Sequence, residues 1–135
     1  MLRTVALTFA AAFLAAGTLS AHHGYAAYDR VTPVSIDGEL TQVLFVNPHV
    51  ILTVRSGGID YSVEWLSMYQ LTGHYHVAKD TFKAGDHVLI TARGKRDTTD
   101  HTLSLVTDVQ RPADGWTWSR PLMPTAQQPA PLTNQ

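Results

Sequence analysis

The chain carries no cysteine, so its distinctive chemistry rests on seven histidines, at positions 22, 23, 49, 74, 76, 87 and 101. Imidazole is the commonest metal ligand and titrates near neutral pH, so clustered histidines mean more than single ones. His22 and His23 are adjacent and directly follow a stretch that reads as a cleavable export signal. Cleavage after Ala21 makes His22 the first residue, and its α-amine and ring nitrogen can then chelate one copper ion. A distant histidine would complete a T-shaped brace. Cleavage after Ser20 starts the chain at Ala21-His22-His23. The imidazole at position three then joins the amine and two deprotonated amides in a square-planar site. All-nitrogen tetragonal coordination suits Cu(II) and Ni(II), and copper tops the affinity order for such donors. The competing reading is a solvated terminus whose histidines bind nothing, since chain ends are commonly poorly ordered.

His49 is the third candidate ligand. It opens a predicted strand behind Pro48, at a rim where loops place functional side chains. The competing reading is a structural histidine whose ring hydrogen-bonds the rim backbone. His74 and His76 share a face if that segment is extended, but Tyr75 and the polar surroundings favour a solvated loop. His87 alternates outward from a strand and His101 falls in a loop, so both are expected at the surface. The metal set is therefore His22, His23 and His49, with copper or nickel as the ion.

Other chemistries find no support. Glu39 and Glu64 are the only glutamates, and no spacing pairs either with a second acid for glycosidase-type work. There is no G-x-S-x-G, P-loop or H-E-x-x-H pattern. Absence of cysteine excludes disulfides, thiolate metal sites and thiol nucleophiles. Arg93, Lys95 and Arg96 form a small basic cluster, but Asp97 and Asp100 follow it. Charged residues make up only 16% of the chain, which argues against nucleic acid as a partner. An oxidative enzyme of the brace type would need a flat aromatic surface around the metal, and Trp116 and Trp118 alone do not make one. The expectation is a binding protein and not an enzyme.

The elements that must position these residues begin after the signal. Residues 1–21 combine Arg3, an apolar run from Val5 to Ala16 and the small-residue stretch 17–21, the pattern of a secretory signal peptide. The run is too short to span a bilayer, so the mature protein is expected in the periplasm or secreted, without a membrane anchor. With Arg3 removed from the 10 basic residues, 9 face the 11 acidic ones, a net charge of −2. From residue 34 the pattern has period two. Val34, Ile36, Leu40, Leu44 and Val46 share one parity, with Gly38 as the expected bulge or sharp coil. Asn47-Pro48 breaks that strand. A second strand points Val50, Leu52 and Val54 inward, and Ser56-Gly57-Gly58 turns into a third carrying Ile59, Tyr61, Val63 and Trp65. Leu66 to Leu71 fits a short helix ending at Gly73. A turn at 83–86 leads to a fourth strand with Val88, Ile90 and Ala92 inward, and a fifth runs through Leu103, Leu105, Thr107 and Val109.

Five strands with a helix between the third and fourth is the order of an OB-fold-like β-barrel. The fold class is therefore all-β, with the barrel domain over residues 22–111 and an open sandwich as the alternative. The last 24 residues hold five of the seven prolines, together with Gln127 and Gln128, so 112–135 reads as a flexible tail. Trp116 and Trp118 are expected to pack back on the barrel mouth.

Three motifs together carry a resemblance: Ala21-His22-His23-Gly24-Tyr25, Asn47-Pro48-His49-Val50, and residues 83–88, Lys-Ala-Gly-Asp-His-Val. They resemble an uncharacterised family of small exported bacterial proteins with an AHHSF-like mature start and an NPHV motif. The likeness covers roughly residues 21–110. Gly24 stands where serine is usual, and His74 follows Gly73 where tryptophan would be expected, so His74 inherits nothing. The resemblance implies an exported, barrel-like domain and no activity. The residues themselves lead to a small exported binding module for a periplasmic protein or small ligand, with a Cu(II) or Ni(II) chelate at His22, His23 and His49. The alternative is a metal-free accessory module whose histidines are structural.

Overall fold

A computed structural model describes residues 24–120. The segment 1–21 read as an export signal, His22, His23 and residues 121–135 of the expected tail lie outside the described residues. The chain runs through β1 (Tyr28–Leu44), β2 (Ile51–Ser56), β3 (Ile59–Glu64), α1 (Met68–Tyr75), β4 (His87–Lys95), β5 (Thr102–Arg111) and β6 (Trp116–Ser119). The fold is mostly β. Its six strands form one sheet in the order β3-β2-β1-β4-β5-β6, antiparallel between these neighbours. β3 also pairs in parallel with β5, through Ser62↔Thr102 and Val63↔Leu103. Among the described residues no helix is long and apolar enough to cross a membrane.

β1 serves two neighbours because of its length. Its first half pairs with β4 from Pro33↔Arg93 to Glu39↔His87, and its second half pairs with β2 from Glu39↔Arg55 to Leu44↔Ile51. Alternation delivers Ile36 and Leu40 to the core, as expected. Two expectations for this strand need correction. Of the bulge or sharp coil expected at Gly38, the bulge lies elsewhere: the register shift falls between Leu40 and Gln42. The extra residue, Thr41, flips the parity behind it, so Leu44 and Val46 are exposed instead of inward. Gly38 has another role: a Cβ there would lie 2.2 Å from the Arg55 carbonyl oxygen. Only glycine permits that approach.

β2 and β4 follow their period-two patterns. Val50, Leu52, Val54, Val88, Ile90 and Ala92 are all buried in one core. Gly57 and Gly58, both at positive φ, make the two-residue turn between β2 and β3. Helix α1 starts at the N-cap Ser67, whose hydroxyl accepts from the Gln70 N–H while the Gln70 side chain accepts from the Ser67 N–H. This capping box fixes the start. The helix passes through Gly73 and stops at His76, which adopts a left-handed φ of 56°. His74 and His76 therefore belong to a helix end, not to a loop.

β5 departs from the simple alternation too. Between the pairs Thr91↔Asp108 and Arg93↔Ser104, three residues of β5 face one of β4. Leu105 absorbs the excess at φ 51°. Ser104 and Val106 are buried, and Leu105 is only partly covered, so the expected inward role of Leu105 passes to Val106.

The expected count of five strands is one short. Asp114 accepts from the Trp116 N–H at 3.2 Å, and Gly115 sits at φ 72°, which reverses the chain into β6. Trp118 then pairs with Val109 and enters the core. The two tryptophans thus extend the sheet inside the segment read as tail.

Candidate functional site

His49 is placed by the junction of β2 with the end of β3. The Val50 N–H donates to the Leu66 carbonyl at 2.9 Å, and the Trp65 N–H donates to the Val50 carbonyl at 2.8 Å. With the backbone held there, His49 Nδ1 lies 2.9 Å from the Trp65 carbonyl oxygen. A carbonyl can only accept, so Nδ1 carries a proton, and in the neutral tautomer the lone pair lies on Nε2. A structural histidine makes this bond. So does a metal-binding one, whose tautomer is commonly fixed by a backbone carbonyl.

His49 lines a cleft of about 370 Å³. One wall is apolar and aromatic: Tyr25, Trp65, Leu66, Leu105 and Val106. Its polar groups are Arg30, Glu64, Gln70, Ser104 and Arg120. Each comes from a different stretch of chain. Arg30 lies in an insertion of β1, where Pro33 follows Tyr28 across a register shift. Asp29 pins that insertion by accepting from the N–H groups of Val31 at 2.9 Å and Thr32 at 3.2 Å. Arg120 follows β6, and its N–H donates to the Thr107 carbonyl at 2.7 Å. Glu64 accepts from the Tyr28 hydroxyl at 3.3 Å. Burial, and then the charge of Glu64, pushes the Tyr28 phenol up to about 12. Among the described residues neither Arg30 nor Arg120 pairs with a carboxylate.

An aromatic cluster backs the cleft. Trp65 meets Trp118 edge-on at 5.2 Å between ring centres and Phe82 at 6.0 Å. Phe82 meets Trp116 at 4.8 Å, and Tyr75 meets Trp118 at 5.3 Å. Edge-to-face packing at such distances stabilises beyond area burial alone. The indole N–H groups of Trp65 and Trp118 find no hydrogen-bond partner among the described residues.

A second cavity of about 380 Å³ surrounds Arg111, Asp86 and Asp114. Arg111 donates to Asp86 at 3.0 Å, to Asp114 at 2.9 and 3.1 Å, and to the Thr81 carbonyl. It also stacks on Phe82. These bonds hold the Asp114 carboxyl below its ordinary value. This network clamps the turn before β4 to the β5–β6 hairpin.

Of the three candidate metal ligands, His49 alone is among the described residues. No group of three His, Asp or Glu side chains placed to hold a metal ion occurs among them. His87 pairs with Asp37 at 2.7 Å on the open surface. His101 meets Tyr61 edge-on at 5.4 Å, and His74 meets Tyr69 at 6.0 Å within the helix. Neither His74 nor His76 lines the cleft. Sequence reasoning passed over Arg30, Gln70, Ser104 and Arg120, which no spacing rule connects.

A model described as a family of unknown function, DUF6152, matches residues 11–104, and the chain belongs to that family. The matched stretch contains His22, His23 and His49 and ends in β5. Nothing among the curated proteins and nothing among the solved structures matches the chain.

Proposed function

We propose that the protein is an exported OB-like β-barrel module that captures Cu(II) or Ni(II) at the mouth of the His49 cleft. The barrel reading is supported by the pairing of β3 with β5, which links β1, β2, β3, β5 and β4 in one circuit. Close approach of β2 to Gly38 supports the strong coiling of β1 that such a circuit needs. Export is supported by the pattern of residues 1–21.

One observation carries the metal reading. The Trp65 carbonyl fixes the His49 tautomer and leaves Nε2 as the donor, in the same cleft as Tyr25. Tyr25 follows His22 by three residues and His23 by two. Three extended residues reach at most about 11 Å, so chain length permits both histidines to meet His49. The freed amine and the N-terminal imidazole supply the remaining nitrogens.

The test starts with untagged protein exported to the periplasm and weighed intact, denatured and native. A terminus at Ala21 or His22 is expected, with one Cu or Ni ion retained or taken up. His22→Ala and His49→Ala are expected to weaken Cu(II) binding well beyond His101→Ala. Equal affinity in all three variants defeats the metal reading. The second reading is a metal-free ligand-binding module, and the His49–Trp65 bond favours it equally, since a structural histidine makes the same bond.

A further inference from the structure

The His49 cleft has a second chemistry, carried by residues other than its histidine. Arg30 and Arg120 stand more than eighty positions apart in sequence, yet both line it. Here Glu64 is the one acidic side chain in the lining, and it accepts a bond from Tyr28. Two guanidinium groups stand against one carboxylate in this lining, an excess of one arginine over the acids. Guanidinium presents donors in a fork that matches a carboxylate.

We propose that this cleft binds a compact organic monocarboxylate with an aromatic or similarly apolar body, held at its carboxylate by Arg30 and Arg120. Two arginines against one carboxylate favour a monoanion, since the second charge of a dianion would lie beside Glu64. Tyr25, Trp65, Leu66, Leu105 and Val106 supply the apolar wall for the body. The volume of about 370 Å³ lies at the small end of ligand sites, about 300–1,000 Å³, so the ligand is compact. A third observation is independent of charge. Leu105, in this wall, is held at φ 51°, a conformation that costs a non-glycine residue energy and that collects at ligand clamps. The inference shares the cleft with the metal reading but does not depend on it.

The probe is benzoate, titrated into the exported protein under EDTA so that no metal contributes. Benzoate is expected to bind saturably and to shift the Trp65 indole and Leu105 amide resonances. Benzamide, neutral and of the same shape, is expected not to do so. Arg30→Gln and Arg120→Gln are each expected to weaken benzoate by about 10- to 100-fold, the worth of a lost charge-assisted bond. Arg55→Gln, on the β2–β3 hairpin outside the cleft, is expected to leave binding unchanged. Both cleft arginines are at least partly solvent-exposed, so these variants should fold, and the benzamide comparison needs no variant. Absence of a saturable shift overturns the proposal, as does benzamide matching benzoate. Inorganic phosphate binding as tightly as benzoate also overturns it, because the site would then read a bare oxyanion and not an organic acid.

Discussion

Gly38→Ala tests the architecture at its tightest point. The new Cβ would stand 2.2 Å from the Arg55 carbonyl oxygen, 2.9 Å from its carbonyl carbon and 3.0 Å from a Val54 methyl, where ordinary contact begins near 3.4 Å. Relief therefore requires the β2 backbone to retreat by about an ångström. That backbone carries the pairs Glu39↔Arg55 and Leu40↔Val54, so it cannot move without loosening the ladder. Overpacking costs about 1–3 kcal/mol, and one weakened ladder bond adds about 1 kcal/mol. Gly38 does not use a left-handed φ, so alanine returns about 0.4–1 kcal/mol through the unfolded chain. The expected net loss is about 2–3 kcal/mol, a fall in melting temperature of about 10–20 °C for a domain of this size. Gly94→Ala is the control. Its Cβ meets only the ends of the Val34 and Leu103 side chains, at 3.3 and 3.6 Å, and should cost under about 1 kcal/mol. In a flat sheet, strands lie about 4.8 Å apart and side chains stand normal to the ladder, so position 38 would tolerate alanine. Equal thermal midpoints for the two variants would refute the coiling of β1, and the closed-barrel reading with it.

Arg111→Met removes the partner of Asp86, which is only 12% exposed, and the donor to the Thr81 carbonyl. Urea unfolding should show a loss of about 2–4 kcal/mol; a loss under about 0.5 kcal/mol would place the network among ordinary surface pairs. Tyr28 titrates near 12 instead of 10. A raised folded pKa means that its contribution to stability is intact below about pH 10 and disappears as pH rises towards 12. Tyr28→Phe should flatten that alkaline decline, and an unchanged decline in urea midpoints would show that the phenol does not drive it. Asp100 behaves in the opposite sense. Its carboxyl is held down at about 2 by the Lys95 ammonium, at 2.6 Å, and by Thr102. Its contribution is complete above the ordinary carboxylate range and fades as pH falls towards 2, so Asp100→Asn should remove part of the acid-side loss measured by the same midpoints.

The regular parts of the fold were legible because period two and turn chemistry are local. Val50, Leu52 and Val54, then Val88, Ile90 and Ala92, declared their inward faces, and Gly57-Gly58 declared the hairpin. What sequence reading missed has identifiable causes. Thr41 and the excess around Leu105 each shift a register, and beyond an insertion a period-two count assigns the wrong face. β6 was legible in principle: Asp114-Gly115 between Val109 and Trp118 is a turn flanked by alternation. The prolines from 112 onward favoured a tail, with Trp116 and Trp118 expected to pack back on the barrel mouth but not as a strand. α1 outran Gly73 because the capping box and the burial of Leu71 outweigh one glycine, whose cost is about 1 kcal/mol. Of the cleft, His49 was legible through Pro48 and the strand start, whereas Arg30 and Arg120 had no pattern to reveal them.

The irregularities and the cleft coincide, and that coincidence bears on function. Arg30 sits in the insertion that interrupts the β1–β4 ladder, and Leu105 in the excess that interrupts the β5–β4 ladder. Ser104, the one buried polar residue of the described core, adjoins Leu105 and lines the same space. His49 occupies the gap between β1 and β2, where Asn47-Pro48 ends the pairing. A sheet that needed only to be stable would do better with unbroken ladders, since each interruption leaves residues unpaired. Departures from local rules concentrate where function requires them, and here they line one opening. The second cavity presents the complementary case: around Arg111 the polar groups are paired with one another, with Asp86 and Asp114 answering the guanidinium. Charge there is satisfied within the fold and serves stability. In the His49 cleft, the arginines form no ion pair with a carboxylate among the described residues, and the His49 ring is bonded to the Trp65 carbonyl through Nδ1. Groups arranged in that way are suited to partners brought from outside the described fold.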